Sequence, residues 1–373
     1  MQLMPSILLH LTLLSCSTTA HPHHGQHGSP PLSLQMAQSI VSRDQGILVS
    51  QEDSSALLQA GFTQKAFYAL TRQYPNHTLT PSIAAYIAKS VDSVVPVVSN
   101  ATKDTGYPLD RLSSGNGLIR AWQQTGEEKY EDAVTALRRS IDLQPKNAEG
   151  GLWYYVYPYW SYLDGMYSFA PFISTYTTVF TNSSSSELDD MVLQLDLLWQ
   201  HCYNAQTGLL VHGYDAHRTA VWANNVTGAS PHVWGRSLGW YCMALIDVLE
   251  LLPSTAVDAR QYVQSRFQQL MPAVVAAADQ QTGAWNQVVD QPGREGNYIE
   301  SSGSSMFVYS LLKGLRLGVL PGGMGYVDTA VRAYEYVAGA FVVDNGNKTL
   351  GWNGTVGVCS LNSTASYEVC SRN

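Results

Sequence analysis

Apolar residues recur at helical spacing along most of this chain, and that pattern constrains its fold more than any other feature. It runs through Leu57–Tyr74, Ile83–Val98, Leu118–Gln124, Tyr130–Leu143, Trp160–Val179, Leu188–Cys202, Leu238–Leu252, Ala256–Ala278, Ser304–Leu317 and Val327–Val342. A side chain every three or four residues lines one face of an α-helix, and that stripe must be buried on another element. In "GWYCMALIDVLELLP", Met243, Ile246, Leu249 and Leu252 share one face and Pro253 ends the helix. "TGEEKYEDAVTALRRSID" opens with Thr125 at an N-cap position and acids in the first turn. Strand-like alternation is scarce, and glycine-rich connectors such as "NAEGG", "QTGLLVHGYD" and "DQPGREGN" separate the helices. Roughly ten to twelve helices in antiparallel pairs, without a strong sequence repeat, point to an all-α toroid or a bundle array. A toroid gathers loops and helix termini at a concave end, where ligand sites are found.

With 373 residues, 45% hydrophobic and 13% charged, the chain can bury a large core as one unit. Its net charge of −8 and lack of any basic cluster argue against nucleic acid as a partner. Residues 1–20 carry no Asp, Glu, Lys or Arg and end in small residues, so they read as a secretory signal peptide, although without a basic start. "HPHHGQHGSPP" follows, and residues 21–45 are expected to be a flexible His/Pro/Gly-rich segment before a single domain over 46–373. His23, His24 and His27 are too short a tract to count as more than a compositional cue for metal. No other apolar run is long enough to span a bilayer. Sequons at Asn76, Asn100, Asn182, Asn225, Asn347, Asn353 and Asn362 support a secretory route, with occupied sites on the surface. Past the signal, Cys202, Cys242, Cys359 and Cys370 form an even set. Pairing Cys359 with Cys370 would close a short loop and leave Cys202 with Cys242, a choice that spacing does not decide. A secreted, extracellular glycoprotein is expected, monomeric and not bound to membrane.

The chemistry-bearing residues cluster in the connectors. From Gly150 through Ser186 the one charged side chain is Asp164, set among Trp153, Tyr154, Tyr155, Tyr157, Tyr159, Trp160, Tyr162, Tyr167, Phe169 and Phe172. A buried acid costs free energy unless it is paired, hydrogen-bonded or kept protonated, and a raised carboxyl pKa serves general acid catalysis. Asp110, in "YPLDRLSSGNGLIRAW", reads first as a helix N-cap. His212 lies in "HGYDAHRTAVWANN", where it could orient a hydroxyl or bond the loop. "SPHVWGRSLGWY" sets Trp234, Arg236 and Trp240 ahead of a helix. Indole faces suit sugar C–H faces and a guanidinium fork suits a carboxylate, so an acidic sugar fits as well as an aromatic core with a capping Arg. No Gly-x-Ser-x-Gly elbow, phosphate loop or His-Glu-x-x-His sequence occurs, and nothing calls for a cofactor or metal.

Together, "LQPKNAEGGLWYYVYPYWSYLDGMYSFAPF", "GLLVHGYDAHRTAVWAN", "SPHVWGRSLGWYCMALIDVLELLP" and "DQPGREGNYIESSGSSMFVYSLLKGLRLG" closely resemble the unsaturated rhamnogalacturonyl hydrolases of glycoside hydrolase family 105, which are akin to the unsaturated glucuronyl hydrolases. The likeness runs in order from about Asp110 to about Tyr367. It implies an (α/α)6 barrel acting, without cofactor, on lyase-generated pectin fragments that carry a C4=C5 unsaturated uronic acid at the non-reducing end. It implies Asp164 as general acid/base and Asp110 as the second active-site acid, in place of a cap. It implies His212 as a substrate contact, and Arg236, Trp234 and Trp240 as the residues that hold the unsaturated sugar. Tyr162 stands where the family often has Trp, and "WGRSLGW" where it often has "WARGNGW"; both differences are expected to touch the pocket wall rather than the chemistry. The implied reaction protonates C4 of the enol ether and adds water at C5, after which the hemiketal opens. Rhamnogalacturonan fragments are the leading substrate; other unsaturated uronosides, from glucuronan, ulvan or arabinogalactan, are the nearest alternative. A polysaccharide lyase and a non-catalytic sugar-binding protein are more distant ones.

Overall fold

The structure, a computed structural model, describes residues 30–49 and 55–371. The expected signal peptide lies outside the described residues. The long helices are α1 Leu32–Ser42, α2 Ala56–Gln73, α3 Thr80–Val94, α5 Gly115–Thr125, α6 Glu128–Asp142, α7 Gly165–Phe180, α8 Ser185–Cys202, α9 Gly235–Leu251, α10 Val257–Ala276, α11 Ser301–Arg316 and α12 Tyr326–Phe341, with short α4 Ala101–Asp104 and α13 Tyr367–Cys370. A 3-10 turn, Leu109–Ser114, leads into α5. Three small antiparallel pairs complete the set: β1 Trp160–Tyr162 with β4 Gly213–Asp215, β2 Tyr203–Asn204 with β3 Leu209–Leu210, and β5 Val342–Asp344 with β6 Leu350–Trp352.

The fold is an (α/α)6 barrel built from helical hairpins. Successive inner elements, α2, the 3-10 turn with α5, α7, α9 and α11, pack side by side, and α3, α6, α8, α10 and α12 back α2, α5, α7, α9 and α11 respectively. Burial follows this placement. α9 buries nearly every side chain from Gly235 to Leu249, and α7 buries an unbroken run from Gly165 to Ile173. The outer α6 and α12 bury a single stripe, as amphipathic helices on a core do.

Three expectations are corrected. Residues 21–45 are not wholly a flexible segment, because α1 spans Leu32–Ser42, buries Leu34, Ala37 and Ser39, and packs on α2, α3 and β6. Thr125 does not cap α6. It ends α5, followed by left-handed Gly126, and its Oγ1 accepts from Glu127 N (3.2 Å). The helix expected from Trp160 begins only at Gly165, because Trp160–Tyr162 pair as a strand with Gly213–Asp215. That pairing puts Ser161 O where a Cβ on Gly213 would stand, at 2.5 Å, so residue 213 must be glycine for β1 and β4 to meet. The ladder sets Asp164, two residues past β1, beside His212, one residue before β4.

Candidate active site

The N-terminal ends of the inner helices converge at one end of the barrel. Asp164 stands just ahead of α7, Asp110 sits in the 3-10 turn ahead of α5, Arg236 is the second residue of α9, and Ser302 the second of α11. The sequence motifs, far apart in the chain, meet there because each marks the entry of an inner helix.

Asp164 keeps 14% of its side chain exposed. His212 Nε2 lies 3.2 Å from its Oδ2, and Ser237 Oγ donates to the same oxygen. Ser237 also lies 3.2 Å from the His212 carbonyl, which ties α9 to the β4 strand entry. Burial pushes the Asp164 carboxyl up, but the charge and hydrogen bond of His212 and the Ser237 hydroxyl more than offset it and hold it below its ordinary value. Aromatic burial alone led to the opposite expectation for this residue. Ser237 occupies one of the positions where the chain departs from "WARGNGW", so that difference reaches the chemistry and not merely the pocket wall.

Asp110 has the reverse character. It is buried, and among the described residues its one hydrogen-bond donor is Tyr154 OH, 2.8 Å from Oδ2. Burial pushes its carboxyl up to about 7; the Asp164 charge adds to that, while the Tyr154 bond and Arg111 pull the other way. Arg111, next in sequence, makes no ion pair with it. Its guanidinium donates to Ser140 Oγ, Gln144 Oε1 and the carbonyls of Tyr107, Pro108 and Ser140. Asp110 is therefore not an N-cap: its oxygens do not accept from the helix start, and its proton is retained near neutrality.

The aromatic residues serve mainly as walls. Tyr162 is buried, stacked on Tyr154 at 4.6 Å between centroids and edge-on to His212 at 5.3 Å. Trp234 is 3% exposed, stacks on His212 at 5.0 Å and lies under Arg236 at 5.1 Å, so its ring positions those two side chains rather than offering a free platform. Trp240, one turn into the lumen, packs against Tyr167 and Phe62. Arg236 donates from Nε to Ser302 Oγ (2.8 Å), from Nη1 to Gly357 O (3.2 Å) and from Nη2 to Val356 O (2.5 Å), with Glu300 Oε1 at 3.6 Å. A guanidinium has five N–H groups, of which three make these bonds while Nη2 also pairs with Glu300. Sequence reasoning did not single out Ser237, Ser302 or Glu300. Ser237 lay inside a quoted motif, but its neighbour Asp164 is 73 residues away.

Comparison with known proteins adds the family. A sequence profile, Glycosyl Hydrolase Family 88, matches residues 35–370. Protein Atu3128 of Agrobacterium fabrum is 45% identical over 115 residues, 31% of this chain; the match spans about half that relative, 48% of its length. Among solved structures, a glycoside hydrolase from family 105 of Clostridium acetobutylicum (C. acetobutylicum ATCC 824) superposes with a TM-score of 0.79 at 31% identity, over 92% of this chain and 93% of that one. The unsaturated glucuronyl hydrolase of Bacillus sp. GL1 shares the fold, with a TM-score of 0.58 at 10% identity over 86% of each chain. The profile spans nearly the whole chain and the family-105 structure nearly all of both, and so this protein belongs to glycosyl hydrolase family 88, close to its family-105 relatives.

Proposed function

We infer that this protein is a glycosidase that releases a 4,5-unsaturated uronic acid from the non-reducing end of lyase-generated oligosaccharides, with rhamnogalacturonan fragments as its substrate. One observation carries the reading: the two carboxyls at the barrel mouth are held in opposite settings, burial pushing Asp110 up to about 7 while His212 at 3.2 Å and the Ser237 hydroxyl keep Asp164 below its ordinary value. Hydration of an enol ether needs that combination, an acid for C4 and a base for the water that adds at C5. The Asp164 charge adds to the burial that raises Asp110, so the two carboxyls influence one another's titration. The resemblance gives Asp164 the acid/base role; the raised carboxyl of Asp110 supports that residue as the proton donor in this reading. Asp164, fixed by His212 and Ser237, is then ready to take a proton from water and hand it on. Arg236, the cation at the entry of α9, is the residue this reading gives to the uronate.

Rhamnogalacturonan as the substrate rests on the sequence motifs, and the family-105 relative supports it. Secretion rests on the leader-like first residues. The seven sequon asparagines all lie exposed, which suits a glycosylated extracellular protein. The test is loss of the ultraviolet absorbance of the C4=C5 bond with unsaturated galacturonyl-rhamnose, for wild type and Asp164→Asn. Decay in wild type, cut at least ~10²-fold in the variant, is expected. Full activity in Asp164→Asn would sink the mechanism. Decay on unsaturated glucuronyl substrates alone would move the substrate assignment. A rise in absorbance on intact polymer would make the protein a lyase.

A further inference from the structure

The C-terminal residues 354–371 run back over the barrel mouth as a strap. Ser301 N donates to Gly354 O (3.0 Å) and Val356 N to Glu300 Oε1 (3.2 Å) at one end. At the other, Gln287 Nε2 donates to Cys370 O (2.8 Å) and Tyr367 OH to Glu295 O (2.9 Å). Among the described residues, no backbone-to-backbone hydrogen bond involves positions 355–365, so side-chain packing and side-chain hydrogen bonds, such as Trp222 Nε1 to Leu361 O (2.7 Å), shape this stretch. Val356, Cys359, Tyr367 and Cys370 pack with Trp234, while Leu361 and Ala365 pack on Tyr162 and Trp222. The strap also supplies the two carbonyls, Val356 O and Gly357 O, that hold Arg236.

Inside this irregular segment the sulfurs of Cys359 and Cys370 face each other at 3.1 Å, 6% and 2% exposed. This is the sole thiol–thiol contact among the described residues; Cys202 and Cys242 are buried separately in helices α8 and α9. No third metal-binding side chain joins the pair among the described residues. We propose that Cys359 and Cys370 are joined as a cystine in the working protein, and that the strap it closes positions Arg236. An irregular segment without a hydrogen-bonded ladder gains most from such a cross-link, which removes its open conformations.

The oxidant is a low-molecular-weight disulfide of the glutathione type. The Cys370 thiolate attacks one of its sulfurs and releases the first small thiolate; Cys359 then attacks the mixed disulfide and releases the second. One S–S bond is broken and one formed. Two electrons pass to the oxidant, and the two protein thiol protons end on the two released thiols. Cys370 is the attacking group, because the Cys359 S–H donates to it and holds its thiol below the ordinary value.

The first test does not depend on substrate. The full chain, equilibrated with oxidised glutathione, is denatured without reductant, alkylated and read by peptide mass spectrometry. Label on Cys202 and Cys242, with the Cys359 and Cys370 peptides linked, is expected; label on all four overturns the cystine. The positioning half rests on the proposed function. Mild reduction of folded wild type, and separately Cys359→Ser/Cys370→Ser, should raise KM for the unsaturated uronoside about tenfold with little change in kcat, because the Arg236 contact is ground-state binding. They should also speed protease release of the C-terminal segment. An unchanged KM with faster release overturns the positioning role. If wild type turns over no unsaturated uronoside, the functional reading fails while the mass and proteolysis results still decide the cystine and the strap.

Discussion

The barrel lumen buries acids at two levels, and they differ in protonation. At the mouth, Asp110 meets a second carboxyl and a neutral tyrosine, and burial wins. About three turns further along α9, Asp247 is equally enclosed but receives Lys313 Nζ at 2.6 Å, Tyr309 OH at 2.7 Å and Lys65 Nζ. Burial pushes Asp247 up as well, yet the two lysines outweigh it and keep it ionised. Lys313 also reaches Glu250 Oε2 at 2.6 Å, and Arg316 pairs with that glutamate at 2.9 Å, so a network of cations and acids joins α2, α9 and α11. The same side chain in the same lumen is an acid in one place and a fixed anion in the other. Partner charge, not burial, makes the difference. Cations are kept away from Asp110 even though Arg111 is its chain neighbour, because that guanidinium is spent on neutral acceptors.

This comparison can be broken by substitution. The largest effect is expected from Asp110→Asn, which should cut kcat/KM at least ~10²-fold on a competent unsaturated uronoside. The same variant should gain stability relative to wild type at pH 8. The folded carboxyl, raised to about 7, stays protonated where the unfolded chain is ionised. Wild type therefore loses stability as pH rises from the ordinary carboxyl value to about 7, by an amount on the order of a few kcal/mol. Melting temperatures at pH 5 and pH 8 check the sign: the gain should be present at pH 8 and small at pH 5. Asp247→Asn should do the opposite and destabilise by about 3 kcal/mol, read by denaturant midpoints, because it leaves Lys65 and Lys313 facing each other without their acid. If both Asn variants changed stability in the same direction, the contrast between the two levels would fall.

Smaller effects sharpen the picture at the mouth. Ser237→Ala removes a donor that favours ionised Asp164, so the acid limb of kcat/KM should move to higher pH, with a rate loss of about tenfold at neutral pH. Tyr154→Phe removes the one hydrogen bond that favours ionised Asp110. The alkaline limb, set by loss of the Asp110 proton near about 7, should shift upward. That shift is expected to be the smallest of the set. A pH–rate profile in which neither limb moved would separate these residues from the proton-handling pair.

Much of this was legible in the chain. The apolar rows over α2, α3 and α6 to α12 announce an all-helical fold because a 3.6-residue stripe has few other uses. The isolated acid in "YLDGMY" and the Trp/Arg pair in "WGRSLGW" were visible for the same reason that they matter: charge and aromatic groups stand out against an apolar helix entry. Less legible were the short pieces that depend on distant partners. The Trp160–Tyr162 strand exists only because Gly213–Asp215 lies beside it, and α1 holds only because α2, α3 and β6 cover its apolar side.

The sequence by itself determined that the fold is all-helical, where most of the long helices run and which motifs carry the site, since these follow from local periodicity and short-range signals. Only the tertiary structure decided which of the two acids keeps its proton. It also turned Trp234 from a platform into a spacer and set the C-terminal carbonyls on Arg236. Those outcomes depend on charges and burial supplied by residues tens to hundreds of positions away, and no local pattern carries that distance.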